Sequence, residues 1–118
     1  MNLLQQKMLK PVSFTNVVID DAFWSPRIKV NREHTIPHQY QQSKETGRIE
    51  AFKLKWKPGM KDEPHIFWDS DVAKWLEAAS YSLATHPDPE LDRLVDEVIT
   101  LIASAQQPDG YLNIYFTV

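Results

Sequence analysis

The fold is decided by residues 67–83, FWDSDVAKWLEAASYSL, where the spacing of apolar residues predicts a helix. Val72, Trp75, Leu76, Ala79 and Leu83 stand at positions i, i+3, i+4, i+7 and i+11 and therefore share one helical face. Asp69 or Ser70 is suited to cap the start of this helix, and it is expected to end near His86-Pro87.

The next segment repeats the pattern and predicts a second helix. Asp88 is suited to be its N-cap with Pro89 at the first helical position, and Pro108-Asp109-Gly110 ends it. Its apolar positions are Leu91, Leu94, Val95, Val98, Leu101, Ile102 and Ala105. The connection between the helices is very short, so they should pack antiparallel as a hairpin, the unit of helical solenoids and α/α barrels.

Upstream of the hairpin, the sequence patterns that predict secondary structure are weaker. Residues 12–19, VSFTNVVI, are rich in β-branched residues and predict one or two short strands. A helix is expected over residues 26–46, with Ser25 as N-cap and Gly47 as the stop, and Pro37 should kink or split it. Residues 48–68 are predicted to be a loop. The fold class is therefore mainly α, with a β lead-in over residues 1–24 and the helices over residues 25–118.

Composition limits the function. The 118 residues carry a net charge of −3 without a basic block, which argues against a nucleic-acid surface. No cysteine is present, so these residues can form neither a disulfide nor a thiolate metal site, which fits a cytoplasmic protein. No apolar run has the length of a signal-peptide core or a membrane span.

Two motifs in order carry a resemblance to a known family. Residues 67–79, FWDSDVAKWLEAA, and residues 106–116, QQPDGYLNIYF, resemble the opening motifs of glycoside hydrolase family 127, the β-L-arabinofuranosidase-type enzymes. Ile114 replaces the threonine usual in the second motif. The lead-in residues around Val17–Trp24 and Thr46-Gly47-Arg48-Ile49 also fit that family, so the likeness covers the chain from Val17 onward.

This resemblance implies an (α/α)6 barrel followed by β-sandwich domains, one of which the N-terminal strand would join. It implies retaining hydrolysis of furanosides by a cysteine thiolate on a zinc ion held by cysteines and a glutamate, with a second glutamate as acid/base. In the family those cysteines lie far beyond position 118, so no catalytic residue or metal ligand is assigned in this chain. Zinc is expected in the full-length family member, whose partner is a carbohydrate substrate.

Six side chains are candidates for substrate binding, each with an alternative structural role. They are Asp69, Asp71, Trp68, Asp109, Tyr111 and Asn113. Asp69 and Asp71 could bind sugar hydroxyls or stabilise a helix start. Trp68 could stack on a sugar or pack in the core, and Asp109 could form an Asx turn before a left-handed Gly110. His34 and His38 stand four apart, but a solvent-exposed pair is favoured over a metal site.

The last eight residues are largely apolar, so the chain is expected to be the N-terminal fragment of a barrel and inactive alone. A second hypothesis is a small helical interaction module, and the sequence allows self-association through apolar helix faces that remain uncovered. A third, ranked last, is another α/α-barrel sugar enzyme such as an unsaturated glucuronyl hydrolase.

Overall fold

A computed structural model describes residues 9–118, and regular structure in that range is entirely helical. Its α-helices are α1 (Trp24–Val30), α2 (Ile36–Glu45), α3 (Trp68–Thr85) and α4 (Pro89–Ala105). A π-helical turn, Asn31–Thr35, joins α1 to α2, and single 3-10 turns lie at Phe14–Asn16 and Glu50–Lys53. The prediction of a mainly helical chain is confirmed.

One hydrophobic core joins α2, α3, α4 and the 3-10 turn at Glu50–Lys53. The buried apolar residues are Ile36, Ile49, Phe52, Val72, Trp75, Ala79, Leu91, Val95, Val98, Ala105 and Ile114. Trp75 also donates its indole N–H to the carbonyl oxygen of Ile36 at 3.0 Å, which satisfies the one polar group that this ring buries. The core therefore fixes α2 against α3.

The helix hairpin agrees closely with the sequence prediction. Helix α3 ends at Thr85, and α4 begins after Asp88, whose Oδ1 accepts hydrogen bonds from the N–H groups of Glu90 and Leu91 at 3.1 Å. The cap and Pro89 at the first position together set the start of α4. Only residues 86–88 separate the helices, and α3 contacts α4 directly.

The start of α1 differs from the prediction, since Ser25 is not its N-cap. The helix begins at Trp24, two residues earlier than predicted, and Asp21 Oδ1 accepts from the N–H groups of Phe23, Trp24 and Ser25. Partial desolvation raises the pKa of Asp21, but these backbone donors lower it by more, so the pKa lies below its ordinary value. The Asp21 carboxylate can accept hydrogen bonds from three N–H groups at once. The Ser25 hydroxyl does not cap the helix because it donates to the carbonyl of Ile19.

Pro37 has the predicted effect of dividing the helix over residues 26–46. The N–H of Ile36 bonds to the carbonyl of Asn31, five residues back, which is the hydrogen bond of a π turn. Proline has no N–H and would clash with the carbonyl four residues earlier, so a wider turn before Pro37 accommodates its ring. Gly47 ends α2 with φ of +82°, as expected of a helix stop.

The strand predicted within residues 12–19 is not formed. Phe14–Asn16 is instead a 3-10 turn, and Val17 has extended dihedral angles without being in a strand. β-Branched residues favour strands only where a partner offers a backbone ladder, and the structure has no strand within residues 9–118. Residues 1–8 of the predicted lead-in lie outside the described residues.

Large apolar side chains remain exposed on several elements. Among them are Phe14, Val18, Ile28, Tyr81, Ile99 and Phe116, each at least 40% accessible. The radius of gyration is 19.2 Å, whereas a compact domain of this length has about 13 Å. No helix within residues 9–118 combines the length and apolarity needed to cross a membrane.

Candidate functional site

Asp69 joins the two sequence motifs to each other. Its Oδ2 accepts from the side-chain amide of Asn113 at 2.6 Å and from the backbone N–H of Ile114 at 3.0 Å. Asn113 Oδ1 in turn accepts from the N–H of Phe116 at 2.8 Å. Asp69 and Asn113 are thus committed to one hydrogen-bond network, which holds the segment after α4 against the first turn of α3.

The prediction that Asp69 or Ser70 caps α3 is therefore wrong. The helix begins at Trp68 without a side-chain cap, and Ser70 donates its hydroxyl back to the carbonyl of Phe67. Asp69 bonds to backbone and side-chain donors more than forty residues downstream. Helix-capping rules consider only neighbouring residues and could not indicate this partner.

Asp71 faces the segment that follows α2. Its Oδ2 accepts from Arg48 Nε at 3.0 Å, and Arg48 Nη1 donates to the Thr46 hydroxyl at 2.7 Å. The Arg48 guanidinium carbon lies 5.5 Å from the centre of the Trp68 ring, within the range of a cation–π contact. The role of Arg48 was not predicted from the sequence, although this residue lies in the motif Thr46-Gly47-Arg48-Ile49, which fits the family.

An open cleft of about 530 Å³ lies beside this ion pair and is called here the α2–α3 cleft. Its polar lining includes Thr35, Gln39, Gln42, Arg48, Asp71 and Lys74. Trp68 does not line it but packs beside Gly47, behind Arg48. Of the six predicted site residues, only Asp71 lines this cleft directly.

The remaining candidates lie in the turn after α4. Asp109 Oδ1 accepts from the N–H of Tyr111 at 3.0 Å, and Gly110 has φ of +90°, so the Asx turn and the left-handed glycine are confirmed. Asp109 and Tyr111 are both exposed. The structure does not bring them into the α2–α3 cleft.

The described residues do not supply a metal site. No group of three His, Cys, Asp or Glu side chains is arranged to hold a metal ion within residues 9–118, and His34 and His38 are exposed. The complete sequence also has no cysteine. A zinc–thiolate centre therefore does not fit the donors that this chain itself offers.

These features define an all-helical domain built on a hairpin, with a polar cleft beside it. A model of the GH127 catalytic domain, described as β-L-arabinofuranosidase, matches residues 16–118. The chain belongs to this family, and the resemblance predicted from its two motifs is confirmed.

Individual relatives agree with the family match. The chain is 41% identical to a non-reducing end β-L-arabinofuranosidase of Bifidobacterium longum subsp. longum, over 83% of this chain and 18% of the relative. A solved GH127 β-arabinofuranosidase superposes with a TM-score of 0.83 at 44% identity, covering 91% of this chain and 17% of that one. A GH127 β-L-arabinofuranosidase from Geobacillus stearothermophilus T6 gives 0.78 at 42% identity, covering 87% and 18%. The chain therefore spans less than a fifth of each relative.

Proposed function

We propose that residues 25–118 form the first helices of an (α/α)6 barrel, with residues 1–24 as a lead-in, in a glycosidase that cleaves β-L-arabinofuranosides or related glycans. The family match over residues 16–118 carries this proposal. The Asp69–Asn113 network supports it, because it joins the two motifs on which the resemblance rests.

The proposed role of this chain is to bind substrate and to build the barrel, and we propose that the chain alone is inactive. A thiolate, whether as the nucleophile or as a zinc ligand, cannot come from 118 residues without cysteine. In the full-length family member, zinc would keep such a thiolate deprotonated. The candidate contacts to substrate remain Trp68, Asp69, Asp71, Asp109, Tyr111 and Asn113.

A chimera tests this function. The 118-residue chain replaces the equivalent N-terminal residues of the Bifidobacterium enzyme, and release of p-nitrophenol from its β-L-arabinofuranoside is measured. The chimera should hydrolyse the β-L-arabinofuranoside and spare the α-L-arabinofuranoside, whereas the 118-residue chain alone should release nothing. A chimera that melts cooperatively as the parent does but has no activity would contradict the proposal. Activity of the isolated chain would refute its inactivity.

A cytoplasmic location is also proposed. It rests on the absence of cysteine from the sequence, because exported proteins more often carry disulfides. Fractionation of cells that express the protein would test it, and recovery outside the cytoplasmic fraction would contradict it.

A further inference from the structure

Three charged side chains line the α2–α3 cleft, namely Arg48, Asp71 and Lys74. Arg48 donates from Nε to Asp71 Oδ2 at 3.0 Å and from Nη1 to the Thr46 hydroxyl at 2.7 Å. Arg48 Nη2 and the Lys74 ammonium have no partner among the residues that the structure describes. Because Asp71 matches the charge of Arg48 alone, the charge of Lys74 is left over and the lining is cationic.

The α2 side of the cleft carries uncharged polar side chains. Asn31 and Thr35, the first and last residues of the π turn, both line the cleft, and Gln39 and Gln42 continue this wall along α2. Single π turns within helices occur frequently at functional sites. Amides and hydroxyls both donate and accept hydrogen bonds, so this wall suits ligand hydroxyl groups.

The size of the cleft limits the ligand to a small molecule. Its volume of about 530 Å³ lies within the range of about 300–1,000 Å³ that small-molecule sites occupy. The single unmatched cation favours a ligand with one negative charge over a neutral ligand or a polyanion. A ligand that carries one anionic group and several hydroxyls therefore matches both walls.

We propose that the α2–α3 cleft binds a small hydroxy acid with a single carboxylate. The Lys74 ammonium and Arg48 Nη2 bind the carboxylate, and Asn31 and Gln39 bind hydroxyls from the α2 side. Asp71 limits the affinity, because its negative charge repels the ligand carboxylate. This inference goes beyond the proposed function, since such an acid has no glycosidic bond to cleave, and the activity of the chimera does not bear on it.

A matched pair of ligands gives the first test. D-Gluconate and D-glucitol differ only in having a carboxylate or a CH₂OH group at the first carbon. Each is titrated into the isotope-labelled 118-residue chain to about 10 mM, which would nearly saturate a site with a 1 mM dissociation constant. Sodium chloride keeps the ionic strength equal. D-Gluconate should shift the amide signals of Asn31, Gln39 and Lys74, and D-glucitol should bind at least about fivefold more weakly.

A matched pair of lysines tests the cationic group. Lys74 and Lys44 are both exposed on helices, but only Lys74 lines the cleft. Lys74→Gln should weaken D-gluconate binding about twofold to fivefold, the usual range for an exposed charge pair, whereas Lys44→Gln should leave it unchanged. Lys74→Arg keeps the positive charge and should restore most of the affinity.

A matched pair of acids on α3 should act in the opposite direction. In Asp71→Asn the side-chain oxygen still accepts from Arg48, but the charge that repels the ligand is gone. D-Gluconate should then bind about twofold to fivefold more tightly. Glu77→Gln removes the same charge outside the cleft and should have no effect. A site for neutral sugar hydroxyls would show no such gain.

Several results would overturn the inference. They are equal binding of D-gluconate and D-glucitol, equal affinities of Lys74→Gln and Lys44→Gln, and no gain in Asp71→Asn. Tighter binding of inorganic phosphate than of D-gluconate would also overturn it, because the cleft would then select phosphate over a carboxylate. Raising sodium chloride to about 0.5 M shortens the Debye length to about 4 Å and should weaken D-gluconate binding. Affinity that is independent of salt would contradict a charge-based site.

Discussion

At the scale of single residues, Asp69 has the largest structural role of the six candidates. Its carboxylate serves the N–H of Ile114, a residue with no exposed surface, and the amide of Asn113. A buried N–H that loses its acceptor costs about 1–3 kcal/mol. The effect of changing Asp69 is therefore expected on stability first.

Asp69→Ala should lower the free energy of unfolding by about 1–3 kcal/mol because it leaves these donors without an acceptor. Urea unfolding followed by circular dichroism measures this through the midpoint and slope. Asp109→Ala is the control, since it removes one exposed turn bond and should cost about 0.5 kcal/mol. Equal losses of unfolding free energy in the two variants would show that the bonds of Asp69 to Asn113 and Ile114 stabilise the fold no more than an exposed turn bond does.

Asp21 should make the first helix sensitive to acid. Its pKa is lowered in the folded chain, so its stabilisation is complete above the unfolded value of about 3.9 and is lost as pH falls through the lower folded value. Helicity of Trp24–Val30, followed by Cα chemical shifts, should fall in that acidic range. In Asp21→Asn the amide oxygen still accepts but does not titrate, so the acid-dependent loss at this helix should shrink. An equal acid-dependent loss of helicity in the unchanged chain and in Asp21→Asn would show that groups other than Asp21 cause the loss.

At the scale of elements, the hairpin was predictable because its signals are local. The apolar spacing of α3 and α4, the Asp88 cap and the Gly110 turn each depend on residues a few positions apart. The contacts that were not predicted are hydrogen bonds between residues far apart in the sequence. Arg48 donates to Asp71, and the N–H of Ile114 donates to Asp69. The strand was predicted wrongly because β propensity takes effect only where a partner strand is present.

Pro37 should be the cause of the π turn. Pro37→Ala restores an N–H and removes the ring clash, so residues 31–35 should convert to regular α-helix. Backbone hydrogen-bond couplings measured by NMR would show the Ile36 N–H moving from the carbonyl of Asn31 to that of Arg32. The control is Pro26→Ala, in the first turn of α1, where a missing N–H costs little. Retention of the π turn in Pro37→Ala would mean that packing of α2 imposes it.

At the scale of the whole molecule, the exposed apolar side chains are expected to govern how the isolated chain behaves in solution. Exposed large apolar side chains occur along the described chain from Phe14 to Phe116. Neighbouring parts of a barrel would cover helix faces of this kind. The same surface in the isolated chain offers a route to association between copies.

The isolated chain should self-associate and bind a hydrophobic dye, whereas the chimera should do neither. Analytical ultracentrifugation across a concentration series measures the first effect, and ANS fluorescence the second. Ile99→Ser and Tyr81→Ser, which lie on exposed positions of the hairpin, should reduce association without removing core residues. A monodisperse monomer that melts cooperatively and binds no dye would instead favour an independent helical module.

The bond from Asp69 to Ile114 also has a consequence for the order of assembly during synthesis. Ile114 is synthesised after Asp69 and the whole of α3, so its hydrogen-bond acceptor is already part of the chain when this residue leaves the ribosome. The segment after α4 can then dock at once, without waiting for later residues. Ribosome-stalled chains of increasing length should accordingly gain protease resistance in α3 and α4 once Ile114 is free of the exit tunnel.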